Sequence, residues 1–342
     1  MNEVRVESWE QLNECLYAES WYQPHGRFRS PFAFRGLPDW RYDRRTSLNR
    51  LGGRYAPVED DLLRNFRKYG SRIESAHYDS WWNWLAIGQH HGLPTRLLDW
   101  TFSPYVALHF MTERAELFAT DGVIWCIDFI KVRKFLPETL KAILKKDDAV
   151  FFTAEMLDRY APTLEEFDGR VKAESADGQD CVIFFEPPSL DDRIVNQAAL
   201  FSMMSSPEQQ LEEWLQTREA DQPGIFRKII VPAVLKWEVR DKLDMANITE
   251  RVMFPGLDGL GGWLRRYYSP NHLLEVSYGA ERYLARIQRF EGLKMHVTLF
   301  QGRAAVRDAV LSSGEASQWR DVGEDCVVEV KPRPAHFDFV PD

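Results

Sequence analysis

The densest group of residues that could do chemistry lies between positions 89 and 101, in the segment QHHGLPTRLLDWT. It holds two imidazoles (His90, His91), a guanidinium (Arg96), a carboxylate (Asp99) and a hydroxyl (Thr101). Imidazoles and carboxylates can transfer protons, and a guanidinium can bind phosphate or carboxylate groups through two hydrogen bonds. The alternative interpretation is a buried hydrogen-bond network, in which Arg96 pairs with Asp99 and the histidines cap the preceding helix.

Several other site chemistries are disfavoured by the motifs. A metal site would recruit His90 or His91 together with Asp99 and His109, but no HxxxH pair places two ligands on one helical face. The sequence has no CxxC pair, no GxSxG elbow and neither of the glycine-rich phosphate loops GxxxxGK[ST] and GxGxxG. We therefore expect no metal and no serine nucleophile.

Charge and composition limit the partners. The 342 residues carry a net charge of −9, so no global basic field is available to hold a nucleic acid. The arginine-rich stretch at residues 41–54 is a candidate for local contact with RNA or DNA, with a solvated loop as the simpler interpretation. Four dispersed cysteines indicate a reducing compartment. The lack of a leader-like N-terminus or a long apolar run predicts a cytoplasmic protein without membrane contact.

The elements that would position the motif follow from local patterns. We expect helices at residues 8–20, at 58–69, after Asp79 or Ser80, and from Ser103 and Pro104 onward. Apolar, β-branched runs predict strands at 32–34, 122–129, 181–186, 195–201 and 226–231, with a helical insertion at about 131–170. Helical spacing recurs at 234–247, and the glycines at 256–262 indicate a loop.

These elements predict an α+β fold in which helices flank a mixed sheet. We expect an N-terminal helix within residues 1–20, a main domain at 21–268 and an extension at 269–342. The extension shows a strand, helix and strand pattern (MHVTLF, AAVRDAVLSS, CVVEVK) that indicates a small α/β unit.

One family accounts for these motifs in order. Phe34-Arg35-Gly36, then Trp84-Leu85-Ala86 leading into QHHGLPTRLLDWT and SPYVALHF, resemble the FRG domain, which is named for the Phe-Arg-Gly triplet. The resemblance continues through Arg193-Ile194, residues 197–201 and FPGLDGL, so it covers roughly residues 20–268.

A second resemblance, at the level of fold, is to the ADP-ribosyltransferases. Those proteins carry an Arg or His on a first strand, a Ser/Thr-rich strand end before a helix, and a Glu or Gln on a later strand. The resemblance implies that NAD is the substrate and that Arg35, Thr101 and Ser103 bind it, and we add Arg96 of the motif to these cofactor-binding candidates. It also implies that Gln197 is the third, catalytic element.

The third element departs from the glutamate found in many such transferases. Gln197 can accept a hydrogen bond from a ribose hydroxyl but cannot remove a proton, so His90, His91 or Asp99 would act as the base. If the alignment with the ADP-ribosyltransferases shifts by several residues, Asp192 is the alternative third element. We interpret Glu186 and Glu250 as strand-end or surface carboxylates.

Three functions remain open on the sequence alone. The first is an NAD-dependent ADP-ribosyltransferase or NAD glycohydrolase, such as a bacterial toxin or phage-defence effector that modifies a nucleic acid or a protein. A neutralising, antitoxin-type protein would then dock on the extension. The alternatives are a non-catalytic module that binds a nucleotide or nucleic acid, and a metal-dependent nuclease built on His90, His91 and Asp99.

Overall fold

The computed structural model describes residues 2–42, 45–71, 80–175, 178–189 and 191–269, and six strands between 273 and 330. The helices in these residues are α1 Trp9–Tyr17, α2 Glu59–Gly70, α3 Trp81–His90, α4 Pro104–Met111, α5 Phe129–Val132, α6 Glu138–Lys146, α7 Ala154–Tyr160, α8 Leu164–Glu174, α9 Asp192–Asn196, α10 Leu211–Arg218, α11 Lys236–Met245, α12 Glu250–Met253 and α13 Leu257–Tyr267. None of them is both long and apolar enough to cross a bilayer.

Two sheets and one short hairpin contain the strands of the described residues. The strands are β1 Glu3–Arg5, β2 Trp21–Tyr22, β3 Arg27–Phe28, β4 Phe32–Leu37, β5 Leu97–Thr101, β6 Gly122–Asp128, β7 Val182–Phe185, β8 Ala199–Met204, β9 Phe226–Val231, β10 Leu273–Tyr278, β11 Glu281–Glu291, β12 Lys294–Gln301, β13 Ala304–Ser313, β14 Gln318–Asp321 and β15 Val327–Val330.

The central sheet has seven strands in the order β1-β9-β6-β4-β5-β8-β7. β1 pairs with β9 in parallel, and the other pairs are antiparallel. The middle of this sheet is unusual, because β4 and β5 share a single residue pair, Phe34 with Thr101. Apart from this pair, β4 and β5 are not paired with each other, so a side chain of one strand can contact the backbone of the other.

Helices cover both faces of the central sheet and bury its apolar residues. One face packs α1, α4 and α11 against Phe34 and Ile124. Farther along the same face, α3, α7 and α8 pack around Leu97 and Phe201, and α10 packs against Trp125 on the opposite face. This arrangement confirms a mixed α+β fold with flanking helices. The expected helices at 8–20, 58–69 and 234–247 and the strand at 226–231 are present as α1, α2, α11 and β9.

Two expectations about local structure were wrong. The strand expected at 195–201 begins only at Ala199, as β8, because the chain before it forms α9, which the Asp191 side chain caps by accepting a hydrogen bond from the Ile194 N–H. The glycine-rich segment at 256–262 is mostly the helix α13 rather than a loop. A Cβ atom at Gly259 would lie 1.9 Å from the carbonyl oxygen of Phe254, so this glycine is required for the close packing of α12 and α13.

The extension was also expected to contain a helix, and this was wrong. Strands β10 to β15 form an antiparallel sheet that closes on itself, and AAVRDAVLSS is the strand β13. Val306 and Asp308 are exposed while Ala309 is buried, so the segment follows the two-residue alternation of a strand.

Candidate active site on three adjacent strands

The Phe-Arg-Gly triplet lies in β4, and each of its residues has a separate structural role. Phe34 is fully buried among the residues under α4. A Cβ atom on Gly36 would lie 1.8 Å from the carbonyl oxygen of Ala107, so only glycine lets α4 pack this closely on β4. Arg35, between them, extends toward β5. The triplet thus fixes a strand and a helix around one guanidinium.

Arg35 and the histidine-containing motif share one polar network. The Arg35 Nη1 donates to the backbone carbonyl of Asp99 and lies 3.8 Å from Asp99 Oδ2. Gln89 Nε2 donates to that same Oδ2 at 2.8 Å, and Thr95 Oγ1 donates to Gln89 Oε1. Burial lowers the pKa of Arg35, and the charge of Asp99 partly offsets this effect. Arg35 is therefore a partner of Asp99, and its side chain remains 20% exposed.

Arg96 takes no part in this network, so the expected pair between Arg96 and Asp99 was wrong. Its Nε and Nη2 donate to Glu59, and its Nη1 donates to Asp168 at 2.7 Å. The guanidinium is buried and ties α2 and α8 to the start of β5. Burial raises the pKa of Asp168 to about 7, and Arg96 opposes this shift. All three guanidinium nitrogens of Arg96 are engaged by carboxylates.

The third candidate element meets the end of β5. Thr101 Oγ1 donates to the backbone carbonyl of Gln197 at 2.7 Å and accepts a hydrogen bond from the Ser103 N–H. Thr101 is buried, and Ser103 caps α4 through the Val106 N–H. Gln197 lies at the end of α9, two residues before β8, and its Nε2 donates to the Met253 carbonyl at 2.9 Å. Arg35, the 99–103 segment and Gln197 are thus borne on or beside three adjacent strands, β4, β5 and β8.

His90 and His91 lie at the end of α3 and line a large cleft. His90 Nε2 is 2.9 Å from Asp191 Oδ2, and the rings of the two histidines make an edge-on contact. Because a carboxylate can only accept, Nε2 carries the hydrogen and Nδ1 is the nitrogen that can take a proton. Burial lowers the pKa of His90, with Asp191 acting in the opposite direction.

The cleft has a volume of about 1030 Å³ and includes residues that sequence reasoning did not assign to a site. Among these are Glu113, Asp191, Arg193, Glu250 and Arg266. Of the expected site residues, His90, His91 and the alternative Asp192 line the cleft, whereas Arg35 and Gln197 are not among its lining residues. A capping pattern at Asp191 is the local signal that could have identified the partner of His90.

Glu250 is buried, so its interpretation as a surface carboxylate was wrong. Both of its oxygens accept hydrogen bonds from Arg266, which also donates to Asp244 at 2.8 Å. Burial raises the pKa of Glu250, but the bonds to Arg266 prevail and lower it to about 2. This buried charge cluster joins α11, α12 and α13 beside the cleft. Glu186 follows β7 and is exposed, as expected, and Asp192 is exposed as well.

The remaining candidates have structural partners. His109 is buried, and its Nδ1 lies 2.9 Å from Arg240 Nη1. Burial lowers the pKa of His109 to about 3, so it is neutral. The described residues contain no group of three His, Cys, Asp or Glu side chains that could hold a metal ion. In the arginine-rich stretch, Arg41 is bound to Asp39, and Arg44 lies outside the described residues.

Comparison with known proteins agrees with the motif. Residues 30–119 match the model of the FRG domain. The match begins just before β4 and ends after α4, so it contains the Phe-Arg-Gly triplet, α3 and the whole QHHGLPTRLLDWT segment. This part of the chain is an FRG domain, as the sequence resemblance predicted, and the match does not extend to residues 193–201 or to FPGLDGL, which the resemblance also included. No curated protein and no solved structure matches the chain.

Proposed function

We propose that this protein is an NAD-dependent enzyme that breaks the nicotinamide–ribose bond and transfers ADP-ribose to an acceptor. The observation that carries the proposal is the adjacency of β4, β5 and β8 in the central sheet. These strands bring together Arg35, the segment from Asp99 to Ser103, and Gln197. The same three elements, in the same chain order, define the resemblance to ADP-ribosyltransferases.

Arg35 suits the role of anchor for the pyrophosphate of NAD. Only one of its nitrogens has a hydrogen bond with the described residues, and its Nε is buried without a partner. A guanidinium has five N–H groups in a fixed plane and binds phosphate oxygens in pairs. The bond to the Asp99 carbonyl fixes the orientation of Arg35 without using up this capacity.

Gln197 suits the role of acceptor for a ribose hydroxyl. The Met253 carbonyl can only accept, so the amide of Gln197 must direct its NH2 group there. This leaves Oε1, which has no hydrogen bond with the described residues, to accept an O–H. Positive charge develops on the ribose as the bond to nicotinamide breaks, and an oxygen at this position stabilises the transition state.

His90 suits the role of general base. In the proposed step nicotinamide leaves with the electron pair of the broken bond, and a nucleophilic atom of the acceptor bonds to the ribose carbon. The proton of that atom passes to His90 Nδ1, while Asp191 holds the ring and stabilises the imidazolium. Asp191 precedes and Gln197 follows the five-residue α9, so the two residues lie about 9 Å apart along the helix axis.

The test is release of nicotinamide from NAD, measured by chromatography with the purified protein and a cell extract as the source of acceptors. Gln197→Ala should lower the rate about 100-fold or more, because it removes a group that acts on the transition state. Asn196→Ala is a matched control. Its amide donates to the neighbouring Val252 carbonyl at the same 2.9 Å, and its loss should leave the rate within about twofold.

Arg35 has a matched control of its own. Arg227 lies in β9 of the same sheet, with a side chain 19% exposed, close to the 20% of Arg35. Arg35→Lys should raise the KM for NAD, whereas Arg227→Lys should not. Wild-type protein that releases no nicotinamide contradicts the proposal. If NAD nevertheless raises the melting temperature, the non-catalytic binding alternative is supported instead.

A further inference from the structure

The short hairpin before the central sheet displays an exposed aromatic pair. β2 and β3 pair Trp21 with Phe28, which places both rings on one face of the hairpin. Trp21 is 53% exposed and Phe28 is 60% exposed, and their ring centroids are 5.3 Å apart. The indole is also oriented by a hydrogen bond from Nε1 to Gln23 Oε1 at 2.9 Å. Large aromatic residues are usually buried, so a fixed and exposed pair indicates a contact surface.

The hairpin is basic although the protein is acidic. Residues 20–31 contain His25, Arg27 and Arg29 but no aspartate or glutamate, while the whole chain has a net charge of −9. Every residue from 21 to 29 is exposed. The carboxylate that precedes this segment, Glu19, lies 3.5 Å from Arg227. The charge of this surface therefore favours an anionic partner.

We propose that this hairpin binds single-stranded nucleic acid. Bases would stack on Trp21 and Phe28, and phosphates would contact Arg27 and Arg29. Single strands are favoured over duplexes because the faces of paired bases are already stacked inside the helix. An acidic peptide would satisfy the arginines but would leave the aromatic faces without a planar partner.

The hairpin directly precedes β4, the middle strand of the sheet that carries the candidate active site. Phe28 is four residues from the start of β4, a span of at most about 14 Å. That end of β4 is also the end at which Phe34 pairs with Thr101 and Thr101 pairs with Ala199. A strand held on the hairpin is thus a suitable acceptor for ADP-ribose, an assignment that rests on the proposed function, whereas the binding itself does not.

Fluorescence anisotropy of the whole protein with a labelled oligothymidylate of about 16 nucleotides tests the binding without NAD. Trp21→Ala and Phe28→Ala should each weaken binding roughly tenfold or more. Phe28→Tyr should restore it. Arg27→Ala and Arg29→Ala should each lower the slope of log K against log salt concentration by about 0.7. All these side chains are exposed, so the melting temperature should stay unchanged.

Tyr69 is the matched control, since it is 65% exposed and Lys68 Nζ lies 5.5 Å from its ring. Tyr69→Ala and Gln197→Ala should bind like the wild type. The proposal is overturned if the oligonucleotide does not bind, if the hairpin variants bind normally, or if a duplex of equal length binds as tightly. Absence of oligonucleotide binding would leave the hairpin as a surface for a protein partner, and none of these outcomes bears on NAD cleavage.

Discussion

Arg96 shows how a residue in a motif rich in candidate catalytic groups can act on stability. Its guanidinium lies between Glu59 and Asp168, and both Arg96 and Glu59 are buried. Arg96→Met would leave two carboxylates without a counter-ion, which should cost about 3–5 kcal/mol in the free energy of unfolding. Urea denaturation measures this loss. The exposed pair of Arg64 with Asp61 provides the control, and Arg64→Met should cost less than about 1 kcal/mol. Equal losses of stability for Arg96→Met and Arg64→Met would contradict the stabilising role of Arg96.

Lys236 makes a pH-dependent contribution that can be isolated. It is fully buried, and its Nζ donates to the carbonyls of Pro38 and Leu117. Burial lowers the pKa of Lys236 to about 7, while Asp121 and Asp39 act in the opposite direction. Above pH 7 Lys236 therefore binds a proton more readily in the unfolded than in the folded state, and its contribution to stability rises with pH until the ordinary lysine pKa is reached.

The expected result is a free energy of unfolding that rises by about 1 kcal/mol from pH 7 to pH 8, relative to Lys236→Met. Asp168 and the buried cysteines also change protonation between the folded and unfolded states near this interval, and the comparison with Lys236→Met cancels their contributions because both proteins contain them. Lys141→Met, on the surface helix α6, should keep the slope of the wild type. Parallel curves for wild type and Lys236→Met would show that Lys236 does not lose its proton in this range.

At the scale of elements, the packing of α12 against α13 depends on one glycine. At Gly259 a Cβ atom would lie 1.9 Å from the Phe254 carbonyl and 2.7 Å from the Glu250 carbonyl. Gly259→Ala should therefore lower the free energy of unfolding by about 1–3 kcal/mol. Gly261, two residues later in the same helix, has nothing within 4 Å of a Cβ position. Gly261→Ala should stabilise the protein by up to about 1 kcal/mol, and thermal denaturation separates the two signs.

Some helices and strands could be predicted from the sequence, and others could not. Where the signal is local, prediction succeeded: Ser103 and Pro104 mark the start of α4, and the apolar run at 226–231 is β9. Prediction failed where tertiary contacts determine the secondary structure. Glycines are typical of loops, but in α13 Gly259 permits close packing against α12. The choice between helix and strand for β13 depends on pairing with β12.

At the scale of the whole molecule, the candidate site also contains some residues whose contacts the sequence could predict and others whose contacts it could not. The motif residues Arg35, Asp99 and Gln89 do form one network, and the triplet was identified from the sequence alone. The partners of Arg96 were not predictable, because Glu59 and Asp168 lie 37 and 72 residues away in the chain. Chain separation of this size leaves no local pattern, so ion pairs formed by folding need coordinates.

The division of the chain into two sheets leads to a prediction about truncation. Every strand pair of the central sheet lies within residues 3–231, and β10 to β15 pair with one another in the part of the chain that is described. A chain that ends at Ser269 should therefore keep the central sheet and unfold cooperatively. Of the 12 tryptophans, all but Trp319 precede residue 270, so near-ultraviolet circular dichroism should retain most of its signal. Loss of that signal, or of a cooperative thermal transition, would mean that residues 1–269 need the closed sheet of β10 to β15 in order to fold.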